Sequence, residues 1–398
     1  MKFIHFGCWG ELNKTKKVVN VLEKLNNYLI DEEANISFIT LAGDNYYPKK
    51  NKINIPHKQD DNEYKFKIYN HNKLIHLMSL LPSSIPTYLL WGNHDILDKT
   101  ITPEQWDEIN KVSDIQTKIG NIESTQKECQ IIKGQLDWIQ NNPTSPFTHF
   151  NRVLTDLSFP NTLVIMIDTT IYEKNTSASC YNQYDIFNSK RNDDDISTLR
   201  EIQQQQIIDS INLHPDRNHI IFIGHHPIKS WKKKGIIITT HLYTLFSNLI
   251  EILEQKNIYY LCADTHLYQH IKLNITNHLL PNKYITINQF VVGTGGAETD
   301  KLGKLTLDSY GYPAGSIDDN NDIMIYQQKQ EHGFLVCEYF SSVDYWYFSF
   351  KGGIPPDIIG GIKKTRKYKK SKNKTKTKLL YKSKIGNKTK TKSKSKSK

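Results

Sequence analysis

The 398-residue chain lacks any apolar run approaching about 18 residues, so no segment reads as a membrane-spanning helix. Its first residues, MKFIHFGCWGELNKTKK, hold no apolar core of roughly 7–15 residues, so no secretory signal is read there. Cysteine is scarce and odd in number: Cys8, Cys129, Cys180, Cys262 and Cys337 share no paired spacing. That excludes a disulfide-built scaffold and leads us to expect a reducing, intracellular setting. Arginine is nearly missing, with five against 47 lysines, which reads as codon bias and carries no chemistry. Acidic residues are absent from residues 363–398, which hold 17 lysines and Arg366. Without those 18 positive charges, the formal net of +11 becomes −7 for residues 1–362. The body is mildly acidic, and any polyanionic partner belongs to the tail.

What is present is the content of a globular body: 38% hydrophobic and 11% aromatic residues. Short runs rich in Ile, Val, Phe and Tyr recur at 2–6, 36–41, 87–90, 163–167, 219–223, 258–262 and 285–292. Each has the length of a buried strand. Helical stretches are expected at 16–29, 65–81, 196–212 and 240–255. Strand–helix alternation predicts an α/β protein with largely parallel sheets. Segments 333–339 and 345–350 alternate apolar and polar residues, as antiparallel edges do. One domain is expected over 1–360, followed by a disordered Lys-rich tail at 361–398 that has too little apolar surface to order. Residues 97–148, with Trp106 and Trp138, read as an irregular insertion too long for a plain connection, and 48–62 as a polar loop.

The strand ends carry the chemistry. GCWG follows the first strand at 7–10, AGDNYY the second at 42–47, and WGNHD the third at 91–95. GHHP follows 219–223, and ADTH follows 258–262. Carboxylate, amide and imidazole groups at the carboxyl ends of parallel strands converge on one crevice. Hard oxygen and nitrogen donors of this mix suit Fe, Zn or Mn. A carboxylate such as Asp44, set to bridge two ions, serves in-line attack on a phosphate.

Taken in order, GCWG, GDNYY, GNHD, GHHP and ADTH resemble the five-block signature of the calcineurin-like metallophosphoesterases, and most that of the purple acid phosphatase branch. The segments LVIMIDTT, QQQQIIDSI and VVGTGGA are similar to the family as well, and the likeness spans roughly residues 1–350. The resemblance implies a four-layer α/β/β/α sandwich and two metal ions (Fe, Zn or Mn). It also implies hydrolysis of phosphomonoesters. On it, Asp44 bridges the ions, Tyr47 and His266 serve the first, and Asn93 and His225 the second. His94 lies beside substrate phosphate as stabiliser or acid. His226, His270 and Asp95 are expected to line the pocket or support the ligands.

Two positions depart from that pattern. Cys8 stands where the family has Asp, and Asp264 where it has the first His of GHxH. Both residue types bind metal; a thiolate does so at about 2.3 Å against about 2.0–2.2 Å for a carboxylate. With Cys8 and Asp264 as ligands the site holds four anions (Cys8, Asp44, Tyr47, Asp264). These hold metal tightly but repel phosphate. A second reading is therefore a phosphatase-derived binding protein without turnover, tethered by its tail to nucleic acid or a particle. The 363–398 segment is expected to bind nucleic acid only non-specifically, or to direct the chain to a nucleus or virion.

Overall fold

The computed structural model describes residues 2–11, 15–31, 36–54, 63–96, 100–125, 129–141, 147–149, 153–154, 159, 161–173, 180, 196–233, 235–277, 279–302 and 323–354. The chain divides into Met1–Asp357 and Ile358–Lys398. The second unit, with the expected disordered tail, lies outside the described residues.

Two sheets form the body. The first runs in the order Tyr345–Ile354, His332–Phe340, Lys2–Phe6, Ile36–Ala42, Thr87–Leu90, Phe147–His149. The second runs Ile323–Lys329, Tyr268–Asn277, Leu280–Val292, Asn257–Cys262, His219–Ile223, Thr162–Met166, Val153–Leu154. In each, the middle strands are parallel: Lys2–Phe6 with Ile36–Ala42, Ile36–Ala42 with Thr87–Leu90, and His219–Ile223 with both neighbours. These strands are apolar along nearly their whole length because both faces are covered.

The sheets face one another. Phe290 stacks on Phe348 with centroids 4.3 Å apart, and the Trp346 indole donates to Thr162 Oγ1 at 3.0 Å. His5, fully buried in the first sheet, has Nε2 3.4 Å from the Cys262 carbonyl of the second. Helices cover the outer faces: Thr15–Asp31 lies against His332–Phe340, and Thr240–Asn248 against Tyr268–Asn277. This is the expected four-layer order. Because the parallel strands of both sheets point the same way, the two sets of strand ends meet at one edge.

Four local expectations are corrected. Part of the expected polar loop at 48–62 is strand: Lys49–Asn54 pairs antiparallel with Glu63–Ile68. The expected helix at 65–81 begins only at His71, where the Asn70 side chain accepts from Lys73 N at 3.2 Å. Charged residues interleave the strand's apolar residues, so the period of two was hidden beneath a helix-like run. The insertion at 97–148 is largely helical, with helices Pro103–Asn110, Ile115–Thr125 and Gln130–Asn141. Trp106 belongs to a small separate core with Phe66, Ile101, Ile109 and Ile122, whereas Trp138 packs on the main core. Cys129 and Cys180, expected to be unpaired, form a disulfide with Cα atoms 5.7 Å apart. Fifty-one residues separate them, so no local spacing announced the pair.

Candidate metal centre

Three residues leave their strands in the left-handed region: Cys8 (φ 55°), Asp44 (φ 55°) and Asp264 (φ 49°). Such backbone costs about 1–3 kcal/mol for a residue with a Cβ, and it persists only where the surroundings impose it. Hydrogen bonds between the loops do so here. Cys8 N donates to Gly43 O (3.0 Å), Gly10 N to Asp44 O (3.0 Å), and Ala263 N to His225 O (2.8 Å). The packing leaves no room for a side chain at two glycines. A Cβ on Gly92 would lie 2.3 Å from Asp44 Oδ1, and one on Gly43 2.5 Å from His225 Nδ1.

The loops bring the donors together. The ligand atoms of Cys8, Asp44 and His225 all lie within 4.8 Å of one another, as do those of His225, His226 and Asp264. Asp44 faces both sides. Its Oδ2 accepts from the Tyr47 hydroxyl at 2.5 Å, while its Oδ1 lies 3.4 Å from His225 Nε2. The Tyr47 oxygen is also 3.3 Å from His266 Nε2.

The histidines are oriented from behind. His225 Nδ1 is 2.6 Å from the Ala42 carbonyl, which can only accept, so the proton is on Nδ1. Nε2 faces Asn93 Oδ1 (3.3 Å), Asp44 Oδ1 (3.4 Å) and Asp264 Oδ1 (3.9 Å). Carboxylate and amide oxygens gathered round one imidazole nitrogen are a donor set that suits a metal ion. His266 repeats the pattern, with Nδ1 on the Glu298 carbonyl at 2.6 Å and Nε2 toward Tyr47. Its backbone N–H is held by Asp300, which Lys232 anchors at 2.8 Å. His226 packs edge-on against His225, with Nδ1 3.1 Å from Thr169 Oγ1 and Nε2 3.4 Å from Glu173 Oε1.

Electrostatics follow burial. Burial, and then the charges of Asp44 and Asp264, push the Cys8 thiol well up. Burial and the Asp44 charge do the same for the Tyr47 phenol. Burial works against the Asp44 carboxylate, but His225, His94 and the Tyr47 hydroxyl outweigh it and hold the group low. Burial lowers His94, with the Asp44 charge opposing the shift and Lys67 adding to it.

Asp95 is fully enclosed behind the site. It accepts from the backbone N–H groups of Gly92 (2.9 Å), Asn45 (3.1 Å) and Tyr46 (3.1 Å), and from Gln135 Nε2 (2.9 Å). One carboxylate thereby ties GDNYY, GNHD and the insertion together. Burial and the Asp44 charge push it up to about 7 against those donors. His270 is placed elsewhere: it stacks on Phe290 at 4.3 Å and on Tyr326 at 5.0 Å, away from the donor groups. The remaining expected site residues, Cys8, Asp44, Tyr47, Asn93, His94, His225, His226, Asp264 and His266, surround one centre.

The first 268 residues match the family model for calcineurin-like phosphoesterases. The chain belongs to that family. Its members typically use divalent metal ions to hydrolyse phosphoesters, and the donor set above fits that requirement. Of solved structures, one described as "Structure of PhoD" is similar at 11% identity and a TM-score of 0.46, over 91% of this chain and 73% of that one. No curated protein sequence matches. No helix among the described residues is long and apolar enough to cross a membrane.

A cleft of about 450 Å³ opens over the phosphoesterase centre, lined by Tyr47, His94 and His266 and by Glu11, Pro48, Lys49, Lys50, Lys67 and Glu298. The three lysines and two glutamates were not singled out in the sequence. In so lysine-rich a chain nothing marked them, and only the hairpin places them beside the strand ends.

Proposed function

We propose that this phosphoesterase hydrolyses phosphomonoesters at a dinuclear centre of the purple acid phosphatase type. The observation that carries the reading is the convergence of metal-ligand side chains on Asp44, whose two oxygens face Tyr47 on one side and His225 on the other. Cys8, Asp44, Tyr47 and His266 would hold one ion; Asp44, Asn93, His225 and Asp264 would hold the other, with His226 beside it. Bound there, the ions supply Lewis acidity and a water nucleophile at neutral pH.

The chain's own groups do the rest. Asp44 balances charge between the two halves. The carbonyls of Ala42 and Glu298 fix which nitrogen His225 and His266 offer. His94 has its ring 4.4 Å from that of Tyr47, its backbone N–H on Asp44 Oδ1 at 3.1 Å, and its edge in the cleft. A ring nitrogen there can donate a hydrogen bond to substrate phosphate or to the departing oxygen. Cys8 and Asp264 act as working replacements: each keeps the strained backbone of its strand end and points its donor at the same centre as Asp44 and His225.

The test is turnover of an aryl phosphate by anaerobically purified full-length protein loaded in turn with Fe, Zn and Mn. We expect turnover that a chelator abolishes and that Asp44→Asn lacks. A folded protein that turns over with none of the three metals overturns the reading. A thiolate favours Zn or Fe(II) over ferric iron, so the ferric–phenolate visible band should be weak or absent. A strong band in the purified protein refutes that assignment.

A further inference from the structure

The hairpin that walls the cleft carries its lysines in a particular register. Lys50 stands directly opposite Lys67, and Lys52 directly opposite Lys65. Positions two apart share a face of the strand, so Lys50, Lys52 and Lys67 form one ladder. The opposite face holds Lys49 and Asn51 with Ile53, Phe66 and Ile68; the last three pack into the small core around Trp106, while Lys49 also lines the cleft. The inner rung, Lys50 and Lys67, lines the cleft beside Tyr47 and His94. The outer rung lies two residues further along, roughly 7 Å at the rise of an antiparallel strand. Glu11 and Glu298 also line the cleft, joined by Glu298 N donating to Glu11 Oε2 at 2.8 Å, so its positive charge comes from the hairpin.

Resting on the reading above, we propose that the ladder is a binding subsite for a condensed phosphate chain. The substrate's terminal phosphoryl group sits at the metal centre, and at least one further phosphate lies along Lys50, Lys67 and Lys52. Among the described residues, Tyr47 is the only aromatic lining the cleft other than its histidines, and its ring lies 4.4 Å from that of His94. Recognition by this wall therefore rests on charge, with no stacking platform for a base among the described residues. In the step, water's oxygen bonds to the terminal phosphorus and the P–O bond to the chain breaks. The departing oxygen keeps the electron pair and takes a proton. Orthophosphate and a chain shorter by one phosphate leave.

The test compares an aryl phosphate, AMP, ATP and tripolyphosphate, each with equimolar magnesium, on the metal-loaded full-length protein. We expect kcat/KM for tripolyphosphate and for ATP at least tenfold above that for AMP, through KM. In the Lys50→Ala/Lys52→Ala variant the ratio of tripolyphosphate to aryl phosphate should fall at least tenfold. A ratio that stays within twofold overturns the proposal, as does equal use of ATP and AMP. ATP favoured with tripolyphosphate ignored overturns the claim that charge alone is read. Should nothing be hydrolysed, the catalytic reading fails but the subsite is still decided by calorimetry. Tripolyphosphate binding at least tenfold tighter than orthophosphate, and weakened by the double substitution, supports the ladder; equal binding of the two sinks it.

Discussion

Two polar clusters occupy opposite ends of the same sandwich, and they use the same residue types. At the carboxyl ends lie Asp44, Tyr47 and His225; at the amino ends lie Asp344, Tyr339 and His219. Both rest on strained backbone, with Asn161 (φ 62°) and Asp344 (φ 47°) matching Cys8, Asp44 and Asp264. The lower cluster is held by hydrogen bonds to one carboxylate. Asp344 Oδ1 accepts from the Tyr339 hydroxyl at 2.5 Å and lies 3.1 Å from His219 Nε2, while its Oδ2 accepts from Asn161 Nδ2 at 2.6 Å. It clips the turn after His332–Phe340 to the strands of the facing sheet. In the upper cluster His225 Nε2 faces three oxygens, and ligand atoms from several strand ends lie within 4.8 Å of one another. Strain and residue type alone therefore do not mark a site. The convergence of ligand atoms from separate strand ends does.

The comparison breaks if the two aspartates behave alike. Asp44→Asn should lower kcat/KM for an aryl phosphate by about a thousandfold or more, roughly 4 kcal/mol, and strip bound metal. Asp344→Asn should leave kcat/KM within twofold and cost about 1 kcal/mol of stability, measured by denaturant unfolding.

Asp95 sharpens the contrast, because it is as saturated as the lower cluster yet sits under the upper one. Asp95→Ala leaves the N–H groups of Gly92, Asn45 and Tyr46 without their acceptor and should cost about 3–5 kcal/mol in urea unfolding. A loss below 1 kcal/mol would mean that the loops are held mainly by their glycine packing. The Cys129–Cys180 bridge belongs to neither cluster. Its reduction should lower stability by about 2–4 kcal/mol. Thiol counting before and after reductant checks that the bond is there to break.

The smallest effect concerns pH. Burial lowers His270 from 6.5 to about 4. Its folded value lies below its unfolded one, so the unfolded chain binds more protons in between. The neutral ring's contribution is whole above pH 6.5 and drains away as pH falls toward 4. His270→Phe should flatten the stability–pH curve in that window relative to wild type, as read by thermal unfolding at a series of pH values. An unchanged slope would place the proton uptake elsewhere.

The site blocks were legible because each is a local event: a buried strand ends, and the next few residues turn its backbone toward the crevice. Phe3–Phe6 followed by Gly7 and Cys8, or Ile36–Ala42 followed by Gly43 and Asp44, carry that information within a dozen residues. The parallel α/β plan was legible for the same reason, since runs buried on both faces read as continuous apolar stretches. Misreadings fell where a pattern was ambiguous or the partner was distant. Lys65–Ile68 looked helical because charged residues masked an alternation whose apolar side packs under Trp106. His270 looked like a pocket residue because it follows ADTH closely, but the strand Tyr268–Asn277 carries it onto Phe290. Cys129 met Cys180 across 51 residues with no shared motif. By itself the sequence determined which chemical groups stand at the strand ends. Only the tertiary structure decided which nitrogen each histidine offers, which ligand atoms converge on Asp44, and which lysines wall the cleft. Those depend on carbonyls and strands brought together from opposite ends of the chain.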